Sequence, residues 1–523
     1  MIGVRTLALG ALGGAAMMAA AVSAPVPAAA DDRPNLVVAV NALARSLESG
    51  DQTGNVDVRI TYNLFDSLIR RDFLADGKGE AAKLAPGLAE SWKRLGPKTV
   101  ELKLREGVKF HNGDELTAED VAFSFSRNRL YAPNSIANRG ELWGHLDRVE
   151  VVDKYTVRFH TKETDALLEQ RLAGYASWIV NARQYLLKGK EHFARNPVGT
   201  GPYKFAEWRD GEYIRLVAHD DYHGGKPTAA SITFREVPES AARIAGLVSG
   251  EFDIIVNVAP DQIPTIDSYT DIETRSVVLS NSHVLVFNTN MPHLKDKRIR
   301  QAMALSIDRD LLRKTLWEDK NYTPNGHQLP SYDIYVADFP KFEYAPDKAR
   351  QLLKEAGYKG EEIVYTIIPD YYLNSMQAAQ AIQQMWKDVG INMKLNTVEN
   401  WKQVRTEGWQ VYPWSNTHRL PDPIGALVPL WGPRSGMQKS KVLNWQAPAR
   451  FNALHHIIET SADMTERQKA SREALEIWND EVPGTILYNP LETYAVKKSI
   501  AWKPYALYYM DFRPYNLVFR QSN

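Results

Sequence analysis

The chain has 523 residues, more than one hydrophobic core usually supports, so we expect two or three domains. Its 63 basic and 63 acidic side chains give a formal net charge of +0, and the sequence has no basic tail, so we expect no nucleic-acid partner. The chain has no cysteine, which excludes disulfides and thiol chemistry.

The first thirty residues indicate a cleaved signal peptide. Arg5 supplies a positive charge, residues 7–22 form an apolar run, and Ala28, Ala29 and Ala30 provide the small residues of a cleavage site. A membrane anchor is the alternative, but the run is short, contains glycine and is followed by prolines. Because a lipoprotein needs a cysteine just after its signal, we expect a periplasmic protein that is not a lipoprotein.

Strand and helix patterns alternate along the first half of the mature chain. Residues 35–40 form the continuous apolar run of a buried strand. Residues 117–128 predict a helix with a capping-box start. A helical pattern at 240–247 is followed by Gly250 and by a strand at 252–256. A helix, a glycine and a strand at this spacing predict an α/β crossover.

The second half repeats the alternation, so the chain predicts two α/β lobes. The predicted helices are 297–307, 309–317, 347–356 and 377–389, and the predicted strands are 362–368 and 391–398. The segment 401–434 differs, because it is rich in aromatic residues, contains several prolines and has no periodicity. That composition predicts a loop-rich segment in the second lobe.

The segment 196–227 (NPVGTGPYKFAEWRDGEYIRLVAHDDYHGGKP) predicts a hairpin between two glycine-rich turns. Four further blocks accompany it, at 84–92 (LAPGLAESW), 104–121 (beginning LREGVKFHNGD), 287–290 (FNTN) and 296–308 (DKRIRQAMALSID). Together these blocks resemble the periplasmic solute-binding proteins of the dipeptide, oligopeptide and nickel class, which are receptors of ABC importers. The resemblance covers nearly the whole mature chain.

The resemblance implies an α/β fold, a two-lobed periplasmic binding protein of type II with an extra α/β subdomain in the first lobe. It also implies that the chain crosses between the lobes more than once, and we place the crossings near 279–282 and 488–491. The predicted division is a signal peptide (1–30), the first lobe (31–75, 198–280 and 491–523), the extra subdomain (76–197) and the second lobe (281–490).

The sequence shows no clear catalytic or metal-binding motif. His455 and His456 are adjacent, so on a helix they point in different directions and do not form the i,i+4 pair that zinc needs. Gly199 and Gly201 precede a proline and a strand, so they do not make a phosphate-binding loop. We therefore expect no enzyme, no metal and no cofactor. A periplasmic hydrolase, the alternative of another class, would need a nucleophile–base pair that the sequence does not offer.

A binding cleft needs aromatic faces and a few polar groups that fix the ligand. Trp414 is the aromatic residue that we favour for this role. In the peptide-binding relatives, the corresponding loop carries an acid that tethers the α-amino group of the ligand. Here the aligned position is Arg419, with Asp422 nearby, and an arginine fork favours a carboxylate or phosphate. The alternative is a surface arginine or an internal ion pair with Asp422.

Other candidates for the cleft wall lie at the two crossings and in an early segment: Asn281, Ser282, His283, Tyr488, Asn489, Arg59 and Tyr62. Packing or turn roles are the alternative for each of them. The default ligand is a peptide, and an anionic opine or sugar-phosphate-type ligand is the second possibility. A nickel or haem carrier is disfavoured because no cysteine or histidine cluster is present. We expect a monomer whose partners are a small polar solute and the ABC permease subunits; a signalling or chaperone role stays open.

Overall fold

The computed structural model describes residues 31–51, 54–80, 83–132, 142–369, 371–439 and 445–520. The predicted signal peptide lies outside these residues. No helix in the described part of the chain combines the length and apolarity that crossing a membrane requires.

The strands of the described residues are, in chain order, β1 (Asn35–Val40), β2 (Ile69–Arg71), β3 (Leu84–Pro86), β4 (Ala89–Gly96), β5 (Thr99–Leu104), β6 (Leu146–Asp153), β7 (Thr156–Thr161), β8 (Tyr203–Arg209), β9 (Tyr213–Ala218), β10 (Ser231–Glu236), β11 (Ile254–Ile255), β12 (Ile272–Val278), β13 (Asn281–Phe287), β14 (Ile363–Ile367), β15 (Met393–Thr397), β16 (Val411–Thr417), β17 (Gly484–Tyr488), β18 (Leu491–Lys497), β19 (Ile500–Trp502) and β20 (Leu517–Phe519).

The helices of the same residues are α1 (Asn55–Thr61), α2 (Ala118–Ser124), α3 (Arg127–Leu130), α4 (Leu168–Leu172), α5 (Ala182–Lys188), α6 (Lys190–Arg195), α7 (Ser240–Val248), α8 (Ile263–Asp267), α9 (Lys297–Leu305), α10 (Arg309–Trp317), α11 (Pro346–Ala356), α12 (Ser375–Asp388), α13 (Trp401–Val404), α14 (Ile424–Trp431), α15 (Gly436–Lys439), α16 (Ala449–Thr460) and α17 (Met464–Glu481), with a 3-10 turn at Pro260–Gln262.

The first lobe is built on a seven-stranded sheet in the order β12-β18-β11-β1-β10-β9-β8. The central strand β1 pairs in parallel with β10 and β11, and the outer pairs are antiparallel. Leu36, Val38 and Val40 of β1 belong to one apolar cluster and Ala39 to another. The strand is therefore covered on both faces, which explains its continuous apolar run.

The second lobe is built on a five-stranded sheet in the order β15-β14-β16-β13-β17. Alternate residues of β13 enter different cores, because Leu285 and Phe287 pack with Trp317 and Trp386, whereas Val284 and Val286 pack with Trp431 and Trp478. Helices therefore cover both faces of this sheet. The two sheets confirm the two-lobed α/β fold.

The extra subdomain contains a four-stranded antiparallel sheet in the order β4-β5-β7-β6. Its inward residues Val100, Leu102, Val157 and Phe159 are buried in the same apolar cluster as β1 of the first lobe. The subdomain and the first lobe thus share a continuous core.

Two local predictions are wrong. The helix predicted at 117–128 divides into α2 and α3, because Phe125 leaves the helix and packs its ring 4.8 Å from Trp143 and 4.9 Å from Phe159. The segment 401–434, predicted to be loop-rich, contains the helices α13 and α14 and the strand β16. Pro413 is tolerated in β16 because the strand pairs with β14 only at Val411, so beyond that point this edge needs no backbone donor.

At the glycine-rich start of the 196–227 hairpin, the backbone passes very close to the backbone of residues 63–64. A Cβ on Gly199 would lie 2.0 Å from the Leu64 carbonyl oxygen, and one on Gly201 would lie 2.5 Å from that of Asn63. His111 completes the contact, since its Nδ1 accepts from Gly199 N at 3.2 Å and its Nε2 lies 3.1 Å from Gly201 O. This motif therefore acts as scaffold.

Candidate functional site

Within the described residues the chain passes between the two large sheets twice. The first crossing is residues 279–280, between β12 and β13, and the second is residues 489–490, between β17 and β18. Leu279 N donates to Pro490 O at 3.0 Å, so the crossings lie side by side. Most of the predicted site residues are placed around this point.

Asn281 binds two side chains of β16 directly after the first crossing, and one of these also contacts the first lobe. Its Nδ2 lies 2.7 Å from Ser415 Oγ and 2.7 Å from Thr417 Oγ1. Asn55, at the start of α1 in the first lobe, donates to the same Ser415 oxygen at 3.2 Å. Because its amide is fully buried and bonded within the protein, Asn281 holds the crossing in place.

Ser282 and Asn489 bind each other across the two crossings. Ser282 Oγ donates to Asn489 Oδ1 at 2.8 Å, and Asn489 N donates to Tyr322 O at 2.9 Å. Both side chains are fully buried. This geometry favours a structural role for the pair, and its predicted contact with ligand stays a prediction.

His283 and Tyr488 belong to a buried aromatic group. The His283 ring centroid lies 5.6 Å from that of Tyr488 and 5.2 Å from that of Tyr372. Burial lowers the pKa of His283 to about 3 and raises the pKa of Tyr488 to about 12. Both groups are therefore uncharged near neutral pH.

Arg59 is buried in the first lobe beside the second crossing. Its Nη2 lies 3.9 Å from Glu492 Oε1 of β18, and its Nη1 donates to Asn41 Oδ1 at 3.3 Å. Its Nε has no hydrogen-bond partner among the described residues. Arg59 therefore keeps a donor that its neighbours leave unused, although the carboxylate already offsets part of its charge.

Tyr62 is covered by other side chains of the first lobe. Its ring stacks on Tyr509 with centroids 4.2 Å apart and planes 9° apart, and the Arg513 guanidinium carbon lies 4.6 Å from its centroid. This arrangement favours packing over ligand contact.

Trp414 lies on β16, not in the loop that we predicted. The guanidinium carbon of Arg405 lies 4.4 Å from its ring centroid, and the Trp401 ring meets it edge to face at 5.2 Å. Trp414 is half-buried. Its neighbours already occupy part of its aromatic surface.

Asp422 and Arg419 have different surroundings, although both follow β16. Asp422 is 4% exposed and accepts a 2.6 Å hydrogen bond from Arg467 Nη2 of α17. Arg419 is half-buried. Burial raises the pKa of Tyr175 in the subdomain to about 12, and the charge of Arg419 acts against this rise. Arg419 therefore lies near a polar group of the other half of the molecule, whereas Asp422 is engaged inside the second lobe.

The sequence analysis missed two buried groups at the same end of β16. His418 N donates to Ser280 O of the first crossing at 3.0 Å, but neither ring nitrogen of His418 has a hydrogen-bond partner in the described chain. The hydroxyl of Tyr332 also has none, and the two ring centroids are 5.8 Å apart. No sequence pattern marks either residue, because a single His or Tyr in an irregular segment has no periodicity.

The subdomain also touches the second lobe. Ala166 N donates to Glu459 O of α16 at 2.9 Å, and Leu167 belongs to the apolar cluster of the second lobe. A Cβ on Gly174 would lie 3.0 Å from Arg419 O, so the two backbones approach closely. The crossings and this contact together bring both lobes around the polar groups described above.

Among the residues with described positions, no group of three or more His, Cys, Asp or Glu side chains could hold a metal ion. His455 is buried in α16 with its Nδ1 2.8 Å from Phe451 O, while the neighbouring His456 is exposed. One histidine of the adjacent pair is therefore buried, and the other lies at the surface.

This fold, with buried polar and aromatic groups where two α/β lobes meet, defines a two-lobed solute-binding protein. The model of the "Bacterial extracellular solute-binding proteins, family 5 Middle" matches residues 83–438, and the chain belongs to this family.

The matches with the following relatives cover most of the length of each relative. The "Oligopeptide-binding protein AppA" of Bacillus subtilis (strain 168) is 28% identical over 453 residues, covering 79% of this chain and 79% of the relative. The "Dipeptide-binding protein" of Escherichia coli (strain K12) is 27% identical over 457 residues, covering 82% and 85%. The structure of DppA from Helicobacter pylori in complex with the peptide STSA has a TM-score of 0.82 at 23% identity and covers 94% of this chain and 99% of that one, which shows a shared fold.

Proposed function

We propose that this protein is the periplasmic receptor of an ABC importer, and that it captures a small polar solute, by default a peptide, between its lobes and delivers it to the permease subunits. The relatives named for oligopeptide and dipeptide binding support the peptide. The observation that carries the proposal is the hydrogen bonding of polar groups from both lobes beside the two crossings. Closure around a solute there would exclude water and strengthen charged hydrogen bonds.

We propose the division into lobes at the boundaries predicted from the sequence. In support, all strands of the five-stranded sheet lie within 281–490, and those of the four-stranded sheet lie within 76–197. The seven-stranded sheet takes its strands from 31–75, 198–280 and 491–523. Export through a cleaved signal peptide, the absence of a lipid anchor and a monomeric state complete the proposal.

An anionic opine or sugar-phosphate-type solute is the second candidate. It is favoured by the position of Arg419, whose charge reaches a buried tyrosine of the facing subdomain. The one acid on the same loop, Asp422, is bonded to Arg467 and is therefore a poor tether for an ammonium group.

Capture between lobes is tested by small-angle scattering. Native mass spectrometry of protein purified without denaturation identifies the retained solute, and scattering is then recorded on the stripped and the reloaded protein. We expect a smaller radius of gyration in the reloaded sample. Equal radii at saturation would count against a two-lobe clamp.

We also propose that binding involves no chemistry. The retained solute should be recovered unchanged after prolonged incubation with the protein. Turnover that survives purification and is lost in a point variant of this chain would overturn that proposal.

A further inference from the structure

We propose that the end of the site formed by His418 and Tyr332 receives an anionic group of the solute, of carboxylate type. This inference rests on the proposed receptor function and adds the chemical class of the group that is bound. It is carried by two buried side chains whose polar atoms have no partner within the described residues.

His418 is the first of these side chains. It is 0% exposed, and its backbone is fixed by the hydrogen bond from His418 N to Ser280 O. Burial and the nearby charge of Arg71 lower the pKa of His418 to about 3, so the ring is neutral at physiological pH. A neutral imidazole offers one N–H donor and one acceptor, and both remain unused by the protein.

Tyr332 is the second of the two buried side chains. It is 4% exposed, its ring lies beside that of His418, and its hydroxyl makes no hydrogen bond in the described chain. A phenylalanine would fill the same space without leaving a polar atom unpaired. An orphaned hydroxyl at this position is therefore explained by a partner that arrives with the solute.

Arg71 is the cation that acts on both side chains. Arg71 of β2 is buried in the first lobe, donates from Nη2 to Glu80 O at 2.9 Å, and acts electrostatically on His418 and Tyr332. The carboxylates of Asp422 and Glu80 also act electrostatically on Tyr332. Asp422 is bonded to Arg467 at 2.6 Å, and burial raises the pKa of the half-buried Glu80. The available donors and the arginine thus favour a hydrogen-bond acceptor with negative charge.

A carboxylate fits this balance better than a phosphate. One arginine and two neutral donors can compensate a single negative charge, whereas a buried dianion would need further cations. A peptide C-terminus and an opine acid both present such a group. The shared chemistry is the carboxylate, and the test distinguishes it from an amine tether and from a phosphate.

The experiment uses the full mature chain and four probes: dialanine, N-acetyl-dialanine, dialanine amide and glucose 6-phosphate. The variants are Tyr332→Phe and His418→Asn, with Tyr344→Phe as a matched control, because Tyr344 is 51% exposed on the surface. Calorimetric titration gives affinities, and a melting curve of each ligand-free protein reports on folding.

We expect N-acetyl-dialanine to bind at least about tenfold more tightly than dialanine amide, since the anion and not the amine is held. Tyr332→Phe and His418→Asn should each weaken N-acetyl-dialanine by about tenfold or more. Tyr332→Phe should not lower the melting temperature of the ligand-free protein, because it removes an unpaired group, and Tyr344→Phe should change neither reading.

Several outcomes overturn the inference. Equal affinity for the amide and the acetylated peptide, or unchanged affinity in Tyr332→Phe, would exclude a carboxylate at this position and leave the receptor function standing. Preference for glucose 6-phosphate over every peptide would replace the carboxylate by a phosphate. If none of the probes binds and native mass spectrometry finds no retained solute, the receptor proposal falls together with this inference.

Discussion

Arg171 and Glu459 form a buried ion pair between parts of the chain that are 288 residues apart. Arg171 Nη2 of the subdomain lies 2.9 Å from Glu459 Oε1 of the second lobe, and the side chains are 3% and 1% exposed. His145 Nε2 lies 3.2 Å from the other carboxylate oxygen, and Arg434 bonds the first. Although burial acts in the opposite direction, these partners hold the pKa of Glu459 well below its usual range.

The first prediction follows from this pair. Arg171→Met should lower the free energy of unfolding by about 3–5 kcal/mol, because it leaves a buried carboxylate short of a partner. The matched control is Arg450→Met, which removes the exposed 2.6 Å pair with Glu473 and should have no measurable effect. Urea unfolding monitored by tryptophan fluorescence compares the two, and equal effects would contradict a special role for the buried pair.

The second prediction concerns the hairpin entry. Gly199→Ala should destabilise the protein by more than about 2 kcal/mol, because the new methyl group would meet a backbone carbonyl and neither chain can shift freely. Gly96→Ala is the control, since a Cβ there has no atom within 4 Å. Ligand affinity of the folded fraction should be unchanged in both variants. A fully stable Gly199→Ala protein would show that the two backbones can separate.

The third prediction tests Arg419. If its guanidinium meets an anion in the closed cleft, Arg419→Ala should cost about 2–5 kcal/mol of binding free energy, which is more than about tenfold in affinity. Arg419→Lys should recover only part of this loss, because an ammonium cannot make two parallel hydrogen bonds. Titration of the retained solute into each variant gives the answer, with melting curves to confirm folding. Unchanged affinity for Arg419→Ala would return the residue to a surface role.

The fourth prediction concerns pH. Because burial lowers the pKa of His283 to about 3, the unfolded chain binds a proton more readily than the folded one below about pH 6.5. The contribution of the neutral His283 ring to the free energy of unfolding is therefore fully present above that pH. It is lost as the pH falls towards 3, by on the order of 2 kcal/mol between pH 7 and pH 5. His283→Phe should reduce the loss by that amount. Parallel urea titrations at the two pH values measure it, and an identical pH dependence in the variant would show that the His283 ring takes up its proton as readily in the folded chain as in the unfolded chain.

The sequence predicted the alternation of strands and helices well, because buried runs such as β1 and the amphipathic helices of the second half carry local periodicity. It failed where distant residues decide the local structure. Phe125 ends α2 because Trp143 and Phe159 hold its ring, and Pro413 is accepted in β16 because the pairing of β16 with β14 is confined to Val411.

The site was harder to predict than the fold. Candidates at the crossings were named because the family resemblance implied crossings there, yet several of them are bonded within the protein. The ion pair of Asp422 with Arg467 joins residues 45 positions apart, which no local pattern reveals. His418 and Tyr332 stand out only when their missing partners are seen in three dimensions.

The hydrogen bond between Leu279 and Pro490 joins the two crossings into one narrow two-stranded connection between the lobes. Each crossing has only two residues outside the strands, and the proline ring fixes one of the backbone torsions. The proposed closure of the lobes would therefore turn on a handful of dihedral angles, which would act together as a single rotational coordinate. A solute that stops this rotation removes little conformational entropy, so most of the energy of its contacts is retained as affinity.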